Sequence, residues 1–425
     1  MNHSPKIIMV ILITMLAPMF TVSLAQEDDP LPSAPVPPTT GAFFTGEYRN
    51  MLKEWGRSDS EIQARIDATW QQLFYGDDDT ERVYYPVGDD MAYILDTGNG
   101  DVRTEGMSYG MMIAVQLDKK EEFDRLWKWA KTYMYREEPP YRGYFAWHCR
   151  PDGTVIDANP ASDGEEWFVT ALFFASARWG NGTGIFDYQA EANAILHTML
   201  HKEEEKDDVQ ATTMFNLEEK QVVFVPQIGL VSKFTDPSYH LPYFYELWAR
   251  WACEDNAFWA EAAQTSREFF KRAAHPETGL MPNYAEFDGS IVYWDNYGEY
   301  FYSDSWRNGM NVAVDYAWFA ADPWQIEQSN RLQAFFHNQG MGTYSDKYPI
   351  DGSEALSPWH SEGLVATNAA ASLAASTELS WEFIEEFWNT PLPTGQWRYY
   401  SGLLYMLSLL HLSGQFRIYD PLPCR

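Results

Sequence analysis

A closed ring of six helical hairpins, an (α/α)6 barrel of the all-α class, is predicted by three features of the sequence. About twelve stretches have helical periodicity and helical length. They fall into two populations that alternate along the chain. One set carries its charge on one face: KKEEFDRLWKWAKTYM, AEANAILHTMLHKEEE, NAFWAEAAQTSREFFKRAA and PWQIEQSNRLQAFFHN. The set between them is nearly uncharged and rich in small residues: GMSYGMMIAVQL, FVTALFFASA, GMNVAVDYAWFA, GLVATNAAASLAAS and SGLLYMLSLLHLSG. A helix that is apolar on every side has to be enclosed by protein, so the second set forms an inner ring and the first faces water. Strand signals are scarce. Only Val222-Val223-Phe224-Val225 reads as extended, and it fits a ribbon in a loop.

In chain order, residues 1–25 read as a secretory signal peptide. Lys6 supplies the positive start, Ile7 to Phe20 is nearly all apolar, and Ser23-Leu24-Ala25 offers a small-x-small cleavage site. The apolar run is short for a membrane span, and a retained N-terminal anchor is the competing reading. Cleavage near Ala25 would make the mature chain secreted or periplasmic, with no membrane attachment afterwards. Residues 26–40 are acidic and then Pro-rich, a linker with no packing capacity of its own. The remainder, 41–425, is one helical domain. A capping box, Ser58-x-x-Glu61, opens a helix whose apolar stripe is Ile62, Ile66, Trp70 and Phe74. Glu105 leads into the next, which runs to Leu117. The others span 119–136, 163–179, 186–201, 241–252, 256–275, 307–321, 323–338, 362–376, 381–389 and 398–412.

Composition narrows the function. The net charge of −31 argues against nucleic acid and against anionic membrane surfaces, both of which want Lys and Arg patches. Runs such as Asp77-Asp78-Asp79 and Glu203-Glu204-Glu205 fit a solvated face. A hydrophobic content of 45% allows a large core, and 18 Trp, 26 Tyr and 25 Phe exceed what packing obviously needs. Aromatic faces suit the axial C–H groups of sugar rings. Cys149, Cys253 and Cys424 lack metal-type spacing; one disulfide is possible, with Cys149 and Cys253 as a pair to test, but buried free thiols are the favoured reading. His197-x-x-x-His201 has ligand spacing without a third partner in view and reads as surface helix; no metal and no cofactor is called for.

The chemistry is expected where the enclosed helices begin. Glu105 opens a run with no further charge until Asp118, and Gly106, Ser108 and Gly110 let neighbours come close. A Glu in an apolar pocket has its pKa raised towards that of a general acid, while a helix N-terminus opposes this. The plain alternative is a helix-start Glu with Thr104 as cap. Asp163 starts the next enclosed helix, Tyr239 and His240 precede a third, and Asp304 stands before Arg307 at a fourth. His360 precedes a fifth and Arg398 opens the last. In a ring of hairpins these starts share one end. One mouth would then collect Glu105, Asp163, Tyr239, Asp304 and His360, ringed by Trp147, Trp306 and Tyr399. Asp163 and Asp304 as plain N-caps, Tyr239 as core and His360 as a loop histidine are the bland readings of each residue alone.

Two motifs carry a family resemblance. Val102-Arg103-Thr104-Glu105-Gly106-Met107-Ser108-Tyr109-Gly110-Met111-Met112 resembles the general-acid segment of family 8 glycoside hydrolases. Ala161-Ser162-Asp163-Gly164-Glu165-Glu166-Trp167, continuing to Trp179, resembles that family's Ala-Ser-Asp signature, with Glu165 in place of an Asp and Phe168-Val169 in place of an Ile/Met-Ala pair. Tyr302-Ser303-Asp304-Ser305-Trp306-Arg307 is similar to the catalytic-base segment, and RYYSGLLYMLSLLHLSGQFRIY also matches. The likeness runs from about Gly41 to the C-terminus. Within the family, YYPVGDDMAYILDTGNGDVRTEGMSYGMM, DRLWKWAKTYMY, GYFAWHCRPDG and DGEEWF resemble the reducing-end xylose-releasing exo-oligoxylanases.

The resemblance implies an inverting hydrolase of xylo-oligosaccharides with Glu105 as general acid and Asp304 as general base. Asp163 would bind ring hydroxyls and hold the sugar distorted, and Tyr239 would orient the base or its water. Trp147 and Trp306 would be stacking platforms, Arg307 would keep Asp304 ionised, and Tyr399 would line the site. His360 matches a loop histidine that closes the aglycone side, though Trp359 and Ser361 flank it where the relatives have Leu and Pro. A monomer is expected. The competing functions are an endo-acting xylanase or β-glucanase of the same family and, further off, a non-catalytic sugar-binding barrel.

Overall fold

In the computed structural model, which describes residues 1, 33–204, 206 and 209–424, the alternation of apolar and charged stretches becomes two concentric rings. Twelve helices build them: α1 (Asp59–Tyr75), α2 (Thr104–Gln116), α3 (Lys120–Trp129), α4 (Ser162–Trp179), α5 (Tyr188–His201), α6 (Pro242–Trp251), α7 (Asn256–Ala273), α8 (Arg307–Phe319), α9 (Trp324–Gln339), α10 (Glu362–Ala370), α11 (Leu379–Asn389) and α12 (Arg398–Leu412). The even-numbered helices are the inner ring. In α4 every residue from Ser162 to Ser176 is buried, and in α12 every residue but Tyr400. The odd-numbered helices lie outside; α3 buries Phe123, Leu126, Trp127 and Trp129 and leaves its Lys and Glu to water. Each inner helix packs on the outer helix that follows it, and α12 closes the ring against α2 and takes α1 as its outer partner. First and last helix thus make the sixth hairpin.

Local chemistry starts these helices where the sequence placed them. The Ser58 hydroxyl accepts from the Glu61 NH at 3.3 Å while Glu61 accepts from the Ser58 NH at 2.9 Å, a complete capping box. The helix predicted over 119–136 is α-helical only to Trp129 and continues as a π-turn, Ala130–Met134. The stretch 362–376 ends its α-helix at Ala370 and finishes in a 3-10 turn, Ala371–Leu373. Val222 sits in a two-residue ribbon, Gln221–Val222 paired with Phe215–Asn216, as a loop element.

Two short ribbons aim the mouth of the ring. Val102–Arg103 pairs with His148–Cys149, so the chain enters α2 with its backbone held and Trp147 alongside; the Thr104 NH donates to the Trp147 carbonyl at 3.0 Å. Tyr300–Phe301 pairs with Tyr348–Pro349, tying the segment before α8 to the segment before α10.

Three expectations change. Cys253 forms a disulfide with Cys424 across a Cα separation of 5.5 Å, whereas Cys149 is a buried free thiol that the fold keeps away from Cys253. Thr104 is not a cap: the N-cap residue of α2 is Arg103, without a side-chain cap bond, and Thr104 is buried against α4. A Cβ on Gly164 would come 2.5 Å from the Thr104 side chain, so glycine is what lets α2 and α4 approach there. The described part of the Pro-rich stretch packs rather than dangling. Pro35 is buried, and the Trp381 indole NH donates to the Ser33 carbonyl at 3.1 Å. Beyond Met1, the leader and the first part of the linker lie outside the described residues.

Candidate active site

Arg307 organises the mouth. It opens α8, is buried, and has every donor engaged. Nη1 donates to Asp163 Oδ2 at 2.9 Å, to the Tyr109 hydroxyl at 2.8 Å and to Glu105 Oε2 at 3.4 Å. Nη2 donates to Asp304 Oδ1 at 3.1 Å and to the Ser238 hydroxyl at 2.8 Å, and Nε to the Asp304 carbonyl at 3.3 Å. Three carboxyl groups therefore meet one cation. With all three ionised the cluster would carry excess negative charge in a poorly solvated place, so a proton is retained.

Glu105 holds its proton more tightly than an ordinary carboxyl does. Burial pushes its carboxyl up to about 7, the Arg307 charge works against this, and Asp163 and Asp304 add to it. Burial also raises Asp163, with Arg307 opposing. The Tyr399 hydroxyl donates to Glu105 Oε1 at 3.0 Å. Gly106 permits that bond, because a Cβ there would lie 2.5 Å from the Tyr399 ring. Tyr109 stands one helical turn after Glu105 on the same face.

Asp304 is presented differently. It lies in a 3-10 turn, Ser303–Trp306, that leads into α8, and its side chain is 33% exposed against 17% for Glu105. The preceding residue, Ser303, holds φ at +33°, a left-handed backbone that a non-glycine residue adopts at a cost of order 1–3 kcal/mol. The Tyr400 hydroxyl pins it by donating to the Ser303 carbonyl at 3.1 Å. Since Glu105 and Asp304 touch different terminal nitrogens of one guanidinium, at 3.4 and 3.1 Å, their nearest oxygens are at most roughly 9 Å apart, within the upper limit of about 9.5 Å for a carboxyl pair with a water between. A cavity of about 260 Å³ opens over them, lined also by Asp96, Asn99, Tyr399, Tyr400 and Trp397.

The other expected residues divide. Asp163 is in the first turn of α4, whose N-cap residue is Ala161; it faces Arg307 and caps nothing. Tyr239 is buried in a 3-10 turn ahead of α6 with its ring centre 5.7 Å from the Arg307 guanidinium; no hydrogen bond from its hydroxyl to Asp304 is present among the described residues. His240 turns into the core. Its ring bridges Thr235 and Ser266, and burial brings its pKa down to about 3, so it is neutral. Trp147 is half-buried, its ring centre 4.5 Å from the His148 ring at a tilt of 31°, with Arg103 5.5 Å from its ring. Trp306 is buried, its indole NH donating to the Asp346 carbonyl at 3.0 Å and its ring flanked by Tyr302 and Tyr400. It is a wall, not the open platform expected, because the turn carrying Asp304 folds it inward.

His360 keeps its place in the loop ahead of α10, but both ring nitrogens already have partners. Nδ1 donates to the Tyr344 carbonyl at 2.8 Å, and Nε2 meets Glu386 Oε1 at 3.0 Å. Burial disfavours its charged form, but the Glu386 carboxylate and the Tyr344 carbonyl prevail and its pKa is raised. Glu386 also accepts from the Gly342 NH at 2.7 Å and the Tyr344 hydroxyl at 3.0 Å, so this α11 side chain fixes the whole loop. A nitrogen of His360 could meet a sugar hydroxyl only by sharing or giving up one of these bonds.

Sequence reasoning missed several neighbours. Tyr109 could have been found by its i+4 spacing from Glu105. Asp236 is fully buried and accepts from the Ser238 NH at 2.7 Å; burial and the Asp304 charge push its carboxyl well up, with Arg307 opposing. Trp397 is 67% exposed at the cavity edge, against Gly98, where a Cβ would lie 2.5 Å from its ring. It had no signal beyond being a Trp before α12.

Comparison with known proteins agrees with this geometry. Residues 89–414 match the model of glycosyl hydrolases family 8. The chain is 51% identical over 383 residues to a reducing-end xylose-releasing exo-oligoxylanase of Paenibacillus barcinonensis, covering 89% of this chain and 98% of that one. The structure of that enzyme complexed with xylose superposes with a TM-score of 0.85, over 89% of this chain and 99% of that one. A xylobiose complex from Teredinibacter turnerae, 49% identical, superposes with a TM-score of 0.86 over 90% of this chain and 100% of that one. An endoglucanase of Ruminiclostridium josui is more distant, 27% identical over 322 residues, 75% of this chain and 65% of that one. With half its residues shared with such enzymes and the carboxylates of its two motifs gathered at one mouth, the chain belongs to glycoside hydrolase family 8.

Proposed function

We propose that this protein is an inverting hydrolase that releases xylose from the reducing end of xylo-oligosaccharides. The observation that carries the chemistry is the placement of a buried Glu105, its pKa raised to about 7, and the more exposed Asp304 on the two ends of one buried guanidinium. Glu105, as the acid, gives its proton to the glycosidic oxygen. Asp304 takes a proton from a water that attacks the anomeric carbon from the opposite face, so the configuration inverts. Asp163 binds ring hydroxyls and favours a distorted ring, and Tyr239 orients the attacking water near Asp304. Trp147 and Trp397 are the faces on which sugar rings stack. The carboxyl spacing leaves room for a water between the pair, the match to glycosyl hydrolases family 8 supports inversion, and the similarity to the Paenibacillus barcinonensis enzyme supports the substrate and the site of cleavage. The loop held by Glu386 through His360 is the part that closes the reducing-end side.

Xylotriose and its reduced alditol test this reading. Xylose and xylobiose should form from the first and nothing from the second, because the enzyme needs the free reducing end; equal hydrolysis of both overturns it. A second reading, a xylanase that cuts within longer chains, is favoured by a Teredinibacter turnerae xylanase crystallised with xylohexaose and 47% identical to this chain, with a TM-score of 0.86 over 90% of this chain and 100% of that one. Mixed oligomers from polymeric xylan would support it. The leader and the Cys253–Cys424 disulfide, which forms and persists in oxidising compartments, support export, and we assign the enzyme to the periplasm or the medium as a monomer.

A further inference from the structure

Outside the cleft, one group of metal-ligating side chains converges among the described residues: His197 and His201 of α5 with Glu254 of the α6–α7 connection. One ligand atom of each lies within 4.8 Å of the others. The third partner that the sequence did not reveal is thus supplied by a loop more than fifty positions along the chain. We propose that His197, His201 and Glu254 form a binding site for a divalent transition-metal ion of the zinc type, which fastens this loop to α5.

The loop is docked in register. Asn193, His197 and His201 stand at successive i+4 positions on one face of α5. They meet three consecutive loop residues in the same order. Asn193 Oδ1 accepts from the Cys253 NH at 2.8 Å, His197 Nδ1 is 2.6 Å from Glu254 Oε1, and His201 Nε2 is 2.8 Å from Asp255 Oδ2. Asn193 fixes the backbone just before Glu254, and the disulfide to Cys424 fixes the same point a second time. Asp255 holds φ at +59°, a left-handed conformation that a non-glycine residue keeps only when its surroundings enforce it.

The donor set suits the ion. Two imidazoles and a carboxylate are zinc ligands at about 2.0–2.2 Å, with a water completing four-coordination, and an i, i+4 histidine pair on a helix presents both rings to one point. The rings lie face to face, 4.6 Å between centres. Both nitrogens of His201 are held by carboxylates, Asp255 on one and Glu204 on the other. If Asp255 yields its nitrogen to the ion it can serve as a further ligand, while Glu204 keeps the ring oriented as outer-shell carboxylates do for ligating histidines. The arrangement is accessible, since His197 and Glu254 keep more than half of their side-chain surface. Binding there does not touch the cleft.

Zinc chloride titrated into the chelator-stripped, disulfide-intact protein tests this, with bound metal counted by elemental analysis. One equivalent should bind and raise the thermal unfolding midpoint by roughly 2 °C or more. His197→Ala, His201→Ala and Glu254→Gln should each weaken zinc binding at least about tenfold and abolish the thermal shift. Hydrolytic activity should stay unchanged in all three, showing that they are folded. No saturable zinc binding by the native protein, or binding that survives the His197→Ala/His201→Ala double substitution, overturns the proposal.

Discussion

The two walls of the cleft share one arginine and differ in everything else. On one wall Glu105 starts a helix with no solvent face, Tyr399 bonds to it across Gly106, and its carboxyl is held near 7. On the other, Asp304 sits on a strained turn with twice the exposure, reached by the same guanidinium from its other end. On the proposed mechanism these two surroundings suit different tasks, the buried carboxyl that of an acid and the more open one that of a base. Arg307 keeps the pair close, one carboxyl on each of its terminal nitrogens.

The sharpest way to break this contrast is to remove its chemistry. Glu105→Gln and Asp304→Asn should each lower kcat by about 10²–10⁴-fold while xylo-oligosaccharide binding, followed by calorimetry, stays within a few-fold of the native enzyme. Near-native turnover in either variant would refute its role. Next is the shared cation. Arg307→Met leaves three carboxyl groups in a poorly solvated site without their counter-charge, and chemical denaturation at pH 7 should show a loss of about 3–5 kcal/mol. A change under 1 kcal/mol would mean that Arg307 does not balance the cluster.

A smaller effect tests the raised acid directly. The folded-state pKa of Glu105, about 7, exceeds its ordinary value of 4.5. The folded protein therefore binds this proton more tightly than the unfolded chain does. The resulting stability is complete below pH 4.5 and is lost as pH rises through about 7. Glu105→Gln cannot lose it, so at pH 8 the variant should be more stable than the native protein by on the order of 1–3 kcal/mol, with the difference shrinking as pH falls to 5. In the native enzyme kcat/KM should decline as pH rises through about 7, because the acid is then ionised. Smallest is Tyr399→Phe. Loss of a donor to the ionised form of Glu105 should move that alkaline limb upward by less than about one unit; a downward shift would show that the hydroxyl favours the protonated acid instead.

Much of this was legible before any coordinates. Helix order followed from periodicity and charge, and Glu105, Asp163 and Asp304 stood out as carboxyl groups at the starts of enclosed helices. What was not legible shares one cause. Trp306 has the composition of a platform, but the turn at Ser303 folds it into the wall. His360 occupies the expected loop, yet a Glu on α11 holds its ring. Cys253 found Cys424, and His197 and His201 found Glu254, across separations that no local pattern announces.

Which helices are enclosed, where they begin and which carboxyl groups stand at their starts depend on neighbours three or four positions away, and a single chain displays that spacing. The different environments of Glu105 and Asp304 depend on a guanidinium about two hundred positions from Glu105 and on how much water reaches each carboxyl. Burial and charge act through space, so only the closed ring of helices could decide them.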